Sequence, residues 1–231
     1  MPKLSIIIPI YNEDSLIASS LPLIFLLPLD KEVLVINDGS TDNTLAVLNN
    51  LKNKFDFVLI NQESNQGKGA AIKRGLKDAT GLYFIICDAD LEYDPQDIIY
   101  LLQEIEKINL KTEIKKIALY GSRFLNSHSY TFHYLINKFL TFLTNLLFSS
   151  QLTDMETCFK LIPSEALKKI KLRSKRFEFE PEITAQLLKN DYKIQERPIS
   201  YKRRNYQEGK KIKAKDGFLA IYTLFRERFS K

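Results

Sequence analysis

Five short apolar runs, rich in β-branched residues, recur through the first half of the chain, at 5–9, 32–36, 57–60, 82–87 and 117–120. None of them alternates polar with apolar positions. Continuous runs of this kind predict strands covered on both faces, and therefore parallel pairing. Between the runs the period changes to that of a helix. Ile72, Leu76 and Ala79 share one helical face after a glycine-containing turn, and Ile98, Leu101, Leu102, Ile105 and Ile108 share another after Asp94-Pro95. Asp94 reads as an N-cap with Pro95 as the first helical residue, and Ser40 or Thr41 reads as the cap of a helix running towards Lys52. The alternation of strand and helix predicts one α/β domain, Rossmann-like, with an open and mostly parallel sheet. Ligands of such sheets lie beyond the carboxyl ends of the strands.

The second half adds two amphipathic segments. Residues 132–148 form an apolar helix with a narrow polar stripe of His133, Asn137, Thr141 and Thr144. Residues 213–231 place Phe218, Ile221, Tyr222, Phe225 and Phe229 on one side with Lys and Arg around them. Both are shorter or more polar than the ~20 apolar residues that span a bilayer. They suit an interfacial helix, and equally a core or dimer helix. The expected layout is a catalytic unit over 1–212, containing the 132–148 helix, followed by the basic helix at 213–231. No repeat or linker splits it further.

Composition narrows the class. With 45% hydrophobic and 27% charged residues the chain can bury a sizeable core, which excludes disorder. Its two cysteines, Cys87 and Cys158, form no C-x-x-C pair, so a zinc site or disulfide framework is not expected and a reducing cytoplasm is the natural compartment. No signal peptide is apparent at the N-terminus. The net charge of +6 is uneven, about −5 over residues 1–159 and +11 over 160–231. The acidic part suits a metal, and the basic part suits phosphates, a membrane surface or nucleic acid.

The chemistry-bearing residues follow the predicted strands. Asp88 and Asp90, in Cys87-Asp-Ala-Asp90, close the fourth run. At a strand end that turns, two carboxylates converge on one hard cation, Mg²⁺ or Mn²⁺, which also takes substrate phosphates and neutralises a leaving diphosphate. Glu92 and Asp94 stand nearby, and the bland alternative is a solvated acidic turn. Asn65-Gln-Gly-Lys-Gly69 precedes a helix. Its glycines let backbone N–H groups approach an anion, and Lys68 adds a point charge. The third glycine of the dinucleotide fingerprint is missing, Ile72 standing there, and the Walker pattern is absent. Pro9-Ile-Tyr-Asn-Glu13 and Asn37-Asp-Gly-Ser40 end the first two runs. A carboxylate there suits a ribose hydroxyl or base N–H, and Tyr11 suits stacking, although such residues are more often turns and caps.

Taken in order, these four segments resemble family-2 glycosyltransferases of the A-type fold, and most of all the polyprenyl- or dolichyl-phosphate mannose and glucose synthases. Tyr120-Gly-Ser-Arg123, the stretches 153–160 and 177–182, and Tyr206-Gln-Glu-Gly-Lys-Lys211 extend the resemblance to about residues 4–212. It implies that Pro9, Tyr11, Glu13 and Asp38 hold the nucleoside and that Lys68 touches the diphosphate. It implies further that Asp88 contacts the donor, with Asp90 the principal metal ligand and Glu92 beside it. Arg123 is implied to meet the acceptor phosphate, with Arg204 and Lys210 closing over both phosphates. Asn37 replaces the first Asp of the usual pair, and Cys158 stands where many relatives have Gly. A second acceptor arginine is missing, and Lys138 or Arg203 is the candidate substitute.

The implied reaction is an inverting, in-line transfer of a hexose from UDP-glucose or GDP-mannose. A polyprenyl phosphate acceptor is already anionic and needs positioning rather than a base. A saccharide or small-molecule hydroxyl needs a carboxylate base, for which Asp154 and Glu156 are the candidates. Their alternative role is to orient Arg123 or Lys160. Attachment is expected to be peripheral, on the cytoplasmic face of a membrane, or through a membrane-protein partner or a homo-oligomer. A non-enzymatic nucleic-acid binder is disfavoured, because carboxylates interrupt the basic region and no recognised motif appears.

Overall fold

The computed structural model describes residues 1–112, 116–125, 132–202 and 214–230. Strands β1 (Leu4–Ile10), β2 (Lys31–Asn37), β3 (Val58–Asn61) and β4 (Tyr83–Ile86) form the parallel half of a seven-stranded sheet. The remaining strands are β5 (Ile117–Ser122), β6 (Lys160–Pro163) and β7 (Lys193–Pro198), in the sheet order β3-β2-β1-β4-β6-β5-β7. β6 runs antiparallel to both neighbours, whereas β5 and β7 are parallel. The expected α/β class and mostly parallel sheet are present. β1, β2, β4 and β5 are buried almost throughout, as their unbroken apolar runs require.

The helices are α1 (Asp14–Phe25), α2 (Thr44–Lys52), α3 (Lys68–Asp78), α4 (Gln96–Lys111), α5 (Phe132–Phe148), α6 (Phe179–Lys189) and α7 (Ala214–Phe229). The capping of α2 differs from expectation. Ser40 and Thr41 bond across to Asn12 instead: the Asn12 N–H donates to Ser40 Oγ at 3.0 Å, and the Thr41 N–H donates to Asn12 Oδ1 at 2.8 Å. The helix begins only at Thr44, whose N–H goes to Asp42 Oδ1 at 3.0 Å. Asp94 does cap α4, accepting the Gln96 N–H at 2.9 Å. α1, β6, α6 and β7 carry no clear apolar period. α1 contains Pro22, β6 has only four residues, and β7 is a half-exposed edge strand reading KIQERP.

The two amphipathic helices lie the opposite way round from an ordinary surface helix. On α5 the polar stripe turns inward: Thr141 and Thr144 are buried, while Leu135, Phe139 (53% exposed), Phe142 (62%) and Leu146 face out. The reason is local. Thr141 Oγ1 accepts the Met155 N–H at 3.0 Å, and Asn145 bonds both the N–H and the carbonyl of Leu152, each at 2.9 Å. Polar side chains thus satisfy an irregular loop that would otherwise bury bare backbone groups. α7 behaves alike, burying Asp216, Thr223 and Glu227 and exposing Phe218, Tyr222, Phe225 and Phe229. Ile221, read on the same apolar side as these aromatics, packs inward on a small core of Leu140, Leu152, Met155, Ala220 and Leu224 that ties α5 to α7. α7 also packs on α6. Among the described residues no helix is long and apolar enough to cross a membrane.

Candidate active site

The sheet order runs outward from β1 in one direction and from β4 in the other. The crevice between these two strands is therefore the switch point where open α/β sheets take ligands. β1 pairs with β4 only from Leu4 to Ile7, so the strands part before Pro9, where the missing proline N–H costs little. Tyr11 and Glu13 follow on one side of the gap, and Asp88, Asp90 and Glu92 follow on the other. Asn12 adopts a positive φ of 51° at the turn. Its bonds to Ser40 and Thr41, with the Glu13 N–H to Thr44 Oγ1 at 2.9 Å, lock the ends of β1 and β2 together.

Asp38 turns its carboxylate towards the 65–69 turn. It is 2% exposed, and its oxygens accept from Gln62 Nε2 (2.6 Å) and from the N–H groups of Gln66 and Gly67 (both 2.8 Å). Burial raises its pKa against the pull of these donors. Its part is to hold the 65–69 turn at the entrance of α3. That turn requires glycine. Gly67 has φ 97°, and a Cβ there would sit 2.4 Å from the Lys175 carbonyl oxygen.

Lys68 opens α3 and points into a buried ladder of alternating charge. Its Nζ donates to Asp88 Oδ2 at 2.8 Å and lies 3.7 Å from Glu180 Oε1. Glu180 in turn pairs with the fully buried Lys160, whose ammonium lies over the Tyr120 ring. Burial alone would lower the Lys68 pKa, but the Asp88 and Glu180 carboxylates reverse the shift and hold it well above the usual value. The lysine therefore stays cationic as it faces the crevice. Glu180 and Lys160 were not assigned to this ladder from the sequence, although both lie in stretches of the family resemblance.

Asp88, Asp90 and Glu92 do not form a ready three-ligand metal cage. No group of three His, Cys, Asp or Glu does so among the described residues. Asp88 is paired with Lys68, and Glu92 Oε2 accepts the Tyr201 phenol at 2.9 Å. Asp90 Oδ1 caps the turn through the Glu92 N–H at 3.1 Å. Mg²⁺ and Mn²⁺ commonly take only one or two protein carboxylates and complete their shell with water and phosphate, so the hard-oxygen turn fits such an ion. A groove of about 430 Å³ runs alongside, between residues 91–95 and 200–202.

The residues expected at the acceptor are built on the end of β5. Arg123 is held by a fork: Nε to Asp154 Oδ2 and Nη2 to Asp154 Oδ1, both 2.7 Å, with its backbone N–H on Oδ2 at 3.0 Å. Asp154 is 0% exposed, and Glu196 of β7 fixes its segment by accepting the N–H groups of Thr153 and Asp154. With both oxygens engaged, Asp154 is not offered to an acceptor hydroxyl. It orients Arg123. The guanidinium lies 5.1 Å from the Phe124 ring centroid and 5.2 Å from that of Tyr201, and Lys138 of α5 approaches the same Phe124 ring at 6.0 Å. The two cations expected at the acceptor phosphate thus flank one aromatic ring. Arg203, Arg204 and Lys210 lie outside the described residues.

Glu156 is the open carboxyl of this region. Its Oε1 is buried without a hydrogen-bond partner, and its pKa is pushed up to about 7, first by burial and also by repulsion from Glu180 and Asp154.

Comparison with known proteins agrees with this architecture. Residues 5–171 match the family described as "Glycosyl transferase family 2", and the chain belongs to that family. An uncharacterized protein of Methanocaldococcus jannaschii is 32% identical over 206 residues, covering 84% of this chain and 86% of its own. Poly-beta-1,6-N-acetyl-D-glucosamine synthase of Staphylococcus epidermidis is 32% identical over 105 residues, which is 45% of this chain and only 26% of that synthase. In three dimensions the chain resembles glucosyl-3-phosphoglycerate synthase of Mycobacterium tuberculosis solved with UDP. The TM-score is 0.72 at 17% identity, over 98% of this chain and 80% of that one. The same enzyme has been solved with Mn²⁺, UDP and phosphoglyceric acid.

Proposed function

We propose that this family-2 glycosyltransferase moves a hexose from a nucleoside-diphosphate sugar, UDP-glucose or GDP-mannose, to a polyprenyl phosphate at a membrane surface. The observation that carries the acceptor is the outward apolar face of α5 beside the Arg123–Phe124–Lys138 group, with a second exposed aromatic face on the neighbouring α7. Lys138 is followed directly by the exposed Phe139. An anionic headgroup and a long apolar chain need such neighbours, and peripheral helices of this kind seat in the headgroup region.

The donor lies in the β1–β4 crevice, with Tyr11 and Glu13 on the nucleoside side and Lys68 and Asp88 at the diphosphate. Asp90, with Asp88 or Glu92 released from its present partner, holds Mg²⁺ or Mn²⁺, which supplies charge neutralisation of the departing diphosphate. The glucosyl-3-phosphoglycerate synthase complexes with Mn²⁺ and UDP support this cofactor. Arg123, kept in place by Asp154, and Lys138 align the acceptor oxygen for in-line attack. No base is required, because the acceptor phosphate is already ionised.

One observation favours a second reading, transfer to a hydroxyl. Glu156, at about 7, has the pKa of a working general base. The deciding assay follows labelled UDP-glucose and GDP-mannose onto a short polyprenyl phosphate, with Mn²⁺ and with chelator. Metal-dependent labelling of the lipid is expected. Donor hydrolysis without lipid labelling overturns the lipid acceptor and transfers the role of base to Glu156.

A further inference from the structure

We infer that Arg226, on the C-terminal helix α7, is a positioning residue for the donor diphosphate turn, acting through Glu182 and the backbone of residues 173–176. This rests on the reading of residues 65–69 as that turn.

The connection runs through a chain of hydrogen bonds. Arg226 Nη2 donates to Glu182 Oε1 at 2.5 Å, and Glu182 is 0% exposed on α6. The same carboxylate accepts the N–H groups of Arg173 and Ser174, at 2.9 Å to Oε2 in each case. It thereby fixes a strap of extended chain that Glu178 also holds, at Lys175 and Arg176. The strap lies directly on the donor turn: the Lys175 carbonyl accepts the Ala70 N–H at 3.0 Å. A Cβ on Gly69 would come within 2.9 Å of the Arg176 carbonyl oxygen, and one on Gly67 within 2.4 Å of that of Lys175. The two backbones are thus in contact with no slack, so the strap cannot move without moving the turn.

The electrostatics make Arg226 the controlling member. A fully buried carboxylate needs a counter-charge, and Arg226, itself 25% exposed, supplies it. Without that charge the buried Glu182 carboxylate is left without its counter-ion and is drawn towards water, and its hold on the Arg173 and Ser174 N–H groups weakens. The Ala70 N–H is one of the unpaired first-turn donors of α3 that the strap carbonyl occupies, and Lys68 stands two residues before it. Arg226 thus acts on diphosphate binding from the far end of the chain, without touching the donor or the acceptor. It also joins the helix that carries the exposed aromatic face to the donor site.

The test uses the full chain with Mn²⁺ and whichever of UDP-glucose and GDP-mannose it accepts. R226M is expected to raise the donor KM roughly 2- to 30-fold, the range of couplings carried through packed networks, with the polyprenyl phosphate KM unchanged. R226K restores much of the loss, because the charge is kept although the fork is not. Assays are run well below each variant's thermal midpoint, so that lost stability alone does not register. A wild-type donor KM in R226M, whatever its midpoint, overturns the inference. If R226M does not fold, R226K alone decides: an intermediate donor KM supports the strut, and a wild-type value overturns it. K68M separates the two levels. If K68M leaves donor binding intact, the reading of the turn itself fails. If K68M weakens it and R226M does not, only the strut fails.

Discussion

Replacing Glu156 with Gln tests the electrostatics around Arg123 and Lys160 most directly. The carboxyl lies among Lys160, Glu180, Arg123 and Asp154, and burial is the largest influence on it. Its folded-state pKa of about 7 exceeds its ordinary 4.5, so the folded protein binds this proton more tightly than the unfolded chain does. Stability therefore falls as pH rises between those values and levels off above the upper one. A shift of this size corresponds to about 3 kcal/mol, an upper figure because the residue keeps some contact with solvent. Glutamine cannot ionise. E156Q should match the wild type at about pH 4, below the ordinary carboxyl value, and exceed it by up to about 3 kcal/mol at about pH 8. Urea unfolding of both proteins at four pH values gives the difference directly, and other titrating groups cancel in it. A difference that does not change with pH refutes the assignment. The same variant reports on chemistry: transfer to a lipid phosphate should survive E156Q, whereas transfer to a hydroxyl should fall with the loss of the base.

D154N leaves Arg123 buried beside a neutral partner. It should cost about 2–4 kcal/mol in thermal or urea unfolding and raise the acceptor KM, whereas a pure loss of kcat at full stability would restore Asp154 as a base. G67A forces a Cβ into the Lys175 carbonyl at a φ that L-residues avoid. A loss of about 2 kcal/mol or more is expected, together with weaker UDP or GDP binding by calorimetry. D90N should lower Mn²⁺-dependent transfer roughly 100-fold, and unchanged turnover would exclude it as a ligand. The pair F142E and F225E should abolish co-sedimentation with anionic vesicles while leaving donor hydrolysis intact. Retained vesicle binding would show that the α5–α7 face is not the contact surface.

The parallel core was legible in the sequence because its strands are buried on both faces, which demands unbroken apolar runs that nothing else in the chain imitates. Lys68, Asp88 and Asp90 were singled out for a related reason, each following such a run, and the fold brings Lys68 against Asp88 at 2.8 Å. Only the tertiary structure decided what those groups face. Asp38 reads as a nucleoside carboxylate, yet it holds a turn; Asp154 reads either as a base or as the partner of Arg123 or Lys160, and it pairs with Arg123. Nothing in their local sequence reveals which partner will fold back upon them across 24 or more positions. The Lys68–Glu180–Lys160 ladder and the Arg226–Glu182 strut were hidden likewise, being contacts between distant segments. The helices at 132–148 and in the last stretch show the limit most plainly. Their amphipathic period is evident in the sequence. On the 132–148 helix the inward face was settled by backbone groups of the neighbouring loop, which drew Thr141 and Asn145 into the protein and left Phe139 and Phe142 outside; on the last helix the Glu227 carboxylate is drawn in by Gln186 and Arg226.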